Sequence, residues 1–223
     1  MTTDHLTLPL SAEQLTFLAG VAGTDQLAGI GRRRPLDELE GTVAARSLAA
    51  RGLIVRGDDA HPAGLSTVAE RLVAPLHGEQ PHVVVWLRDP AGRVRIAARD
   101  AAGRVVVGAG SGGPRARWLL QTAAPLGAIG GLRDALAIAL GRPLPGAWEA
   151  GYVRRAADGA QQARWLGWRP SVDGTLAVVH QEPGEAPELR HAAPAQLAAS
   201  FEATLAELSV VPTPAPTETT RPA

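Results

Sequence analysis

The sequence of 223 residues contains no cysteine and no lysine, and it has little aromatic content. Without cysteine there are no disulfides, no thiolate zinc sites and no cysteine nucleophile, so the fold must stand on packing. Without lysine, all 22 basic residues are arginines, and they balance 22 acidic residues to a formal net charge of zero. A broad binder of nucleic acid or other polyanions normally carries a basic excess, which is missing here. No stretch approaches the roughly 20 consecutive apolar residues of a membrane span. The opening MTTDHLTLPLSAEQL lacks the basic and continuous apolar regions of a signal peptide. These features predict a cytoplasmic protein with no membrane partner. Aromatics make up 4% of the chain, but five of them are Trp86, Trp118, Trp148, Trp165 and Trp168, each large enough to anchor a core or an interface.

With 45% hydrophobic residues the chain can bury a substantial core. Ser11 and Gln14 have the spacing of a capping box, and Leu15, Leu18, Ala19 and Ala22 share a helical face, predicting a helix over 12–22. Pro35 and the spacing of Leu36, Leu39, Val43 and Leu48 predict a second helix that stops at Gly52. A short strand over 53–55 and a third helix through Leu65, Val68, Leu72 and Val73 follow. From His82 the period becomes extended: 83–87, 94–98 and 105–107 read as strands joined by the turn sequences 89–92 and 100–103, connections short enough only for antiparallel neighbours. Residues 119–140 read as mostly helical. After the Pro- and Gly-rich segment 141–146, three more strands (163–168, 176–181, 188–191) precede a closing helix over 195–208.

The expected fold class is therefore α+β: an N-terminal helical, winged-helix-like part (1–80), then an antiparallel sheet with helices (81–208) built as two quasi-repeated halves of three strands and a helix. The final residues 209–223, rich in Pro and Thr, read as a disordered tail.

Gly108, Gly110 and Gly113 in VVVGAGSGGPRARWLL fit the spacing G-x-G-x-x-G. A dinucleotide fingerprint also needs a parallel strand before it and a ribose-binding acid on a second strand. Here the preceding strand belongs to an antiparallel meander and Asp134, at the right distance, falls in a helical stretch. The segment reads as a strand end and a turn into a helix, with no cofactor. Ser111 lies in a near match to the G-x-S-x-G elbow, with His180 and His191 as conceivable bases and Asp134 or Asp173 as orienting acids, but an elbow needs a parallel α/β sheet. His5, His61, His77, His82, His180 and His191 form no metal-binding pair at helical spacing. The expectation is no catalytic site, no metal and no cofactor, a small hydrolase using Ser111 being the third-ranked reading.

The run AARSLAARGLIV is similar to a recognition helix entering the wing of a winged-helix regulator, and Arg32, Arg33 and Arg34 form a basic cluster beside it. The first turn of that helix, however, carries Asp37, Glu38 and Glu40, which suit the helix dipole and repel phosphate. A DNA-binding regulator is thus the alternative rather than the leading reading.

Taken in order, LSAEQLTFLAGVAG, ARSLAARGLIV, the meander HVVVWLRDPAGRVRIAARDAAGRVVV and the closing LAASFEATLAEL resemble the EspG-type proteins of actinobacterial type VII (ESX) secretion over roughly residues 8–208. That resemblance implies a cytosolic, non-enzymatic chaperone of mixed α/β fold that binds the apolar helical tip of a secreted PE-PPE-like substrate one to one. The turns 89–92 and 100–103 are shorter than the inter-strand loop with which such proteins grip substrate, and the Pro-Thr tail is additional. Trp118, Trp148 and Phe201 are the apolar candidates for partner contact.

Overall fold

Valine-rich extended runs, broken twice by the pattern D-x-x-G-R, make residues 82–111 three strands of a larger sheet. The structure, a computed structural model, describes residues 6–24, 26–27, 31–32, 35–55, 57, 64–77, 82–111, 117–141, 146–156, 158–171, 173–181, 185–206 and 208–209. In chain order, β1 (Thr7–Ser11) leads into α1 (Ala12–Val21), followed by β2 (Gln26–Leu27), β3 (Gly31–Arg32), α2 (Glu38–Ala50), β4 (Ile54–Val55), β5 (Gly64–Leu65) and α3 (Thr67–Val73), which ends in the 3-10 turn Ala74–Leu76. A first meander then comprises β6 (His82–Arg88), β7 (Arg93–Asp100), β8 (Val105–Ser111) and β9 (Arg117–Ala123), and α4 (Pro125–Gly141) follows it. A second comprises β10 (Trp148–Arg155), β11 (Gln161–Pro170), β12 (Leu176–Gln181) and β13 (Glu188–Ala192), followed by α5 (Pro194–Ala206).

All eight long strands and β1 form one antiparallel sheet in the order β1-β9-β8-β7-β6-β10-β11-β12-β13. This overturns the expected fold class. The chain does not begin with a winged-helix-like helical part; β1 is an edge strand of the nine-stranded sheet, and α1, α2 and α3 pack on that sheet's face. The short β4–β5 ladder, where a wing was expected, tucks Ile54 into the same core. Each meander also has four strands before its helix, not three. Residues 117–123 and 148–155 are the strands that the periodicity hid, because RWLLQTA reads equally well as helix and WEAGYVRR follows a Pro-rich segment. The tail from residue 210 onward lies outside the described residues.

Local chemistry explains several of these elements. Ser11 and Gln14 form the expected capping box, and Gln14 also donates to the Ser47 hydroxyl at 2.7 Å, tying α1 to α2. Asp89 and Asp100 close the β6–β7 and β7–β8 turns in the same way. Each carboxylate accepts from the backbone N–H and the Nε–H of the arginine four residues on, Arg93 or Arg104, while Gly92 and Gly103 take the positive φ of 77° that the turn requires. On α2 the buried stripe is Ala44 and Leu48; Leu39 (73% exposed) and Val43 (59%) face solvent, so the helical spacing was right and the face was not.

Because successive strand residues point to opposite faces, the sheet separates two cores. On the first face Val84, Val94, Ile96, Ala98, Val106, Trp118 and Leu120 pack against β1 and α1–α3. On the second, Val83, Val85, Leu87, Ala97 and Val105 join Trp148, Ala150, Leu166, Trp168 and Val178 beneath α4 and α5. The glycines of the G-x-G pattern belong to the first core. A Cβ at Gly108 would stand 2.7 Å from Ile96 Cγ1, and one at Gly110 would collide with the Trp118 indole. They are spacers inside β8 for large neighbours, and the next described residues after Ser111 form the strand β9 rather than a helix.

α4 and α5 are clipped together by Arg133, whose Nε and Nη2 donate to the two carboxylate oxygens of Glu202 at 2.6 and 2.7 Å. Those hydrogen bonds, and next the guanidinium charge, hold Glu202 below its ordinary 4.5. A depressed carboxylate pKa contributes stability that is complete above the unfolded value and is lost as pH falls through the folded one. Replacing Arg133 with alanine should flatten the fall in stability below about pH 4.5, measured by urea unfolding across pH. The same assay separates the two kinds of glycine. Gly108→Val should cost about 1–3 kcal/mol by overpacking, whereas Gly130→Ala, in α4 with open space around it, should gain about 0.5–1 kcal/mol.

Candidate binding face

Strand partners in register share a face, so the uncovered part of the sheet can be read from the pairing. On the first face, α1–α3 cover β1, β9, β8, β7 and the edge of β6, and none of the buried core residues of that face comes from β10–β13. Among the described residues no helix lies over that half. The apolar side chains there are Trp86 of β6, Val153 of β10, Ala163 and Trp165 of β11, Ala177 and Val179 of β12, and Leu189 of β13, all partly or fully exposed, and the register places Glu149, Arg155, Arg169, Gln181 and His191 on the same face around them.

The two indoles form the floor of this face. Trp86 lies directly across from Gly151, and a Cβ at Gly151 would stand 2.7 Å from Trp86 Cζ2. Trp165 leans along its own strand over Gly167, where a Cβ would be 2.6 Å from Trp165 Cη2. Both glycines are buried beneath rings that are partly buried themselves. Any larger residue would push the indoles off the sheet. Arg88 lies over part of this floor: its guanidinium stands over the Trp86 ring, 6.0 Å from the centroid, and is held there by the Glu149 carboxylate at 3.1 Å. Chemically the face offers flat apolar area and no nucleophile, and among the described residues no group of His, Asp and Glu could hold a metal ion.

The residues expected to meet a partner lie elsewhere. Trp118 fills the first core against Gly110, Trp148 stacks on Trp168 at 6.2 Å in the second, and Phe201 of α5 is 1% exposed in that same core. All three are packed inside the protein, at most 6% exposed, and none lies on the open face. Trp86 and Trp165 were missed as site residues. W165-x-G167 carried a local signal, since residues two apart on a strand share a face; the Trp86–Gly151 pair joins residues too distant in sequence to leave one.

The hydrolase constellation is not assembled. Ser111 ends β8, while His180 and His191 lie on β12 and β13, at least five strand positions and about 24 Å away at the usual strand spacing. Asp173 accepts from the Thr175 N–H and hydroxyl, which hold it below its ordinary pKa, and Thr175 also contacts His191 at the far edge of the sheet. Asp134 is exposed on α4. Of the basic cluster, Arg33 and Arg34 and the side chain of Arg32 lie outside the described residues. No helix among the described residues is long and apolar enough to cross a membrane. No family model and no curated protein sequence matches the chain.

If the indoles of the open face are surface groups and those of the cores are structural, single alanine variants should divide sharply. Trp148→Ala should lose about 3–5 kcal/mol of stability, and Trp165→Ala clearly less, read from chemical unfolding midpoints.

Proposed function

We propose that the protein is a non-enzymatic, cytoplasmic binding protein of the EspG-type chaperone kind, which uses the Trp86–Trp165 face to cover an apolar helical segment of a secreted PE-PPE-like partner. The observation that carries this reading is a pair of partly buried indoles set over glycines on a sheet face that no described helix covers. Contiguous exposed apolar surface on an otherwise well-packed protein marks an interaction site. An amphipathic helix laid across the floor would bury Trp86, Trp165, Val179 and Leu189 against its apolar stripe, with Arg88 and Glu149 beside Trp86. Recognition by apolar burial needs no titrating group, which agrees with the separation of Ser111 from both downstream histidines.

The test is calorimetric titration of the purified chain with a PE-PPE pair. One-to-one binding is expected, with Trp86→Ala and Trp165→Ala each weakening it by at least about 30-fold, as truncation of an interface anchor does. Failure to bind, or equal binding by the two variants and the parent, would contradict the proposal.

A further inference from the structure

On the second face of the sheet, at the end where β7 begins, a cavity of about 550 Å³ opens between the strands and the C-terminal half of α4. It is independent of the indole face, which lies on the other side of the sheet. Its floor follows from the register: Arg93 pairs with Ser111, Arg95 pairs with Ala109, and Arg117 stands on the next strand beyond. Its walls are Leu87, Ala135, Ile138 and Trp148.

The polar groups on this floor are unequally satisfied. Asp89, which also lines the cavity, is occupied by the backbone N–H and the Nε–H of Arg93, so that pair is neutral. Arg95 and Arg117 have no ion pair or hydrogen bond among the described residues, leaving two uncompensated positive charges. The indole Nε1 of Trp148, a residue 6% exposed, is buried with no acceptor. An unmet buried N–H costs free energy that an incoming acceptor recovers. Meanwhile Ile138 is 59% exposed at the rim, an apolar side chain with little to cover it.

We propose that this cavity is a binding site for a small organic anion, with its carboxylate or phosphate group on Arg95 and Arg117 and its apolar body against Leu87, Ile138 and the Trp148 ring. Guanidinium groups bind either acid by paired N–H donors, and the Ser111 hydroxyl adds a further donor at the same end. The volume falls within the range of small-molecule sites, which combine mostly apolar walls with a few convergent polar groups. The G-x-G strand thus contributes through the serine that ends it and through no cradle of its own backbone.

The test uses three probes with the same aromatic body: 1-naphthoate, 1-naphthyl phosphate and the neutral 1-naphthalenemethanol, titrated into the full chain and followed by calorimetry and by the tryptophan indole ¹H–¹⁵N signals. At least one anion should bind saturably and one to one, with the neutral probe much weaker, and the stronger anion identifies the preferred acid. Arg95→Gln and Arg117→Gln, both exposed and free of structural bonds, should each weaken binding by about tenfold or more, as loss of a charged hydrogen bond does. Arg190→Gln on β13 should leave it unchanged. The Trp148 indole signal, assigned with Trp148→Phe, should move on binding. Absence of saturable binding, equal affinity for the neutral probe, equal affinity in the two glutamine variants, or an unmoved Trp148 signal would overturn the proposal.

Discussion

The pairing of β6 with β10 is the constraint on which the rest of the structure depends. It pairs residues 61 to 73 positions apart in sequence, from Glu149 against Arg88 to Arg155 against His82, and so joins the two meanders into one sheet. Its register also decides which core each side chain enters. Val84 faces α1–α3, whereas Val83 and Val85 face α4 and α5. A slip by one residue would send every one of these side chains to the wrong face. Gly151 belongs to this ladder for the same reason: only a residue without a Cβ lets Trp86 lie across the joint.

The two halves are covered unequally. Among the described residues, the first meander carries helices on both faces and the second on one. The quarter of the sheet that no described helix covers is therefore a consequence of topology, and on it two indoles sit among the charged residues, Glu149, Arg155 and Arg169, that usually solvate an open sheet face. At the outer edge β13 presents Glu188, Arg190 and His191, a polar edge that discourages strand addition.

Much of the secondary structure was legible locally. The capping box at Ser11, the repeated D-x-x-G-R turns and the extended runs of the first meander each depend on residues a few positions apart. What was not legible is non-local. TLPLS alternates, but over only five residues with a proline at the centre, and it is a strand because β9 offers Leu120 and Trp118 as partners for Leu8 and Leu10. RWLLQTA is strand rather than helix because β8 and β1 flank it. The glycines at 108 and 110 invited a phosphate-loop reading because spacing alone cannot reveal that Ile96, Leu120 and Trp118 fill the space above them. In the candidate face, one tryptophan had a local companion glycine and the other had a distant one, so the face could not be seen until the strands were in register.

The central claim is that Trp86 and Trp165 form an open surface that a partner covers while the other three tryptophans are structural. Hydroxyl-radical footprinting with peptide-level mass spectrometry measures this at each ring. In the free protein, oxidation should concentrate at Trp86 and Trp165 and spare Trp118, Trp148 and Trp168; with a PE-PPE pair bound, the first two should become protected. Uniform reactivity across the five, or unchanged oxidation of Trp86 and Trp165 in the complex, would contradict the account.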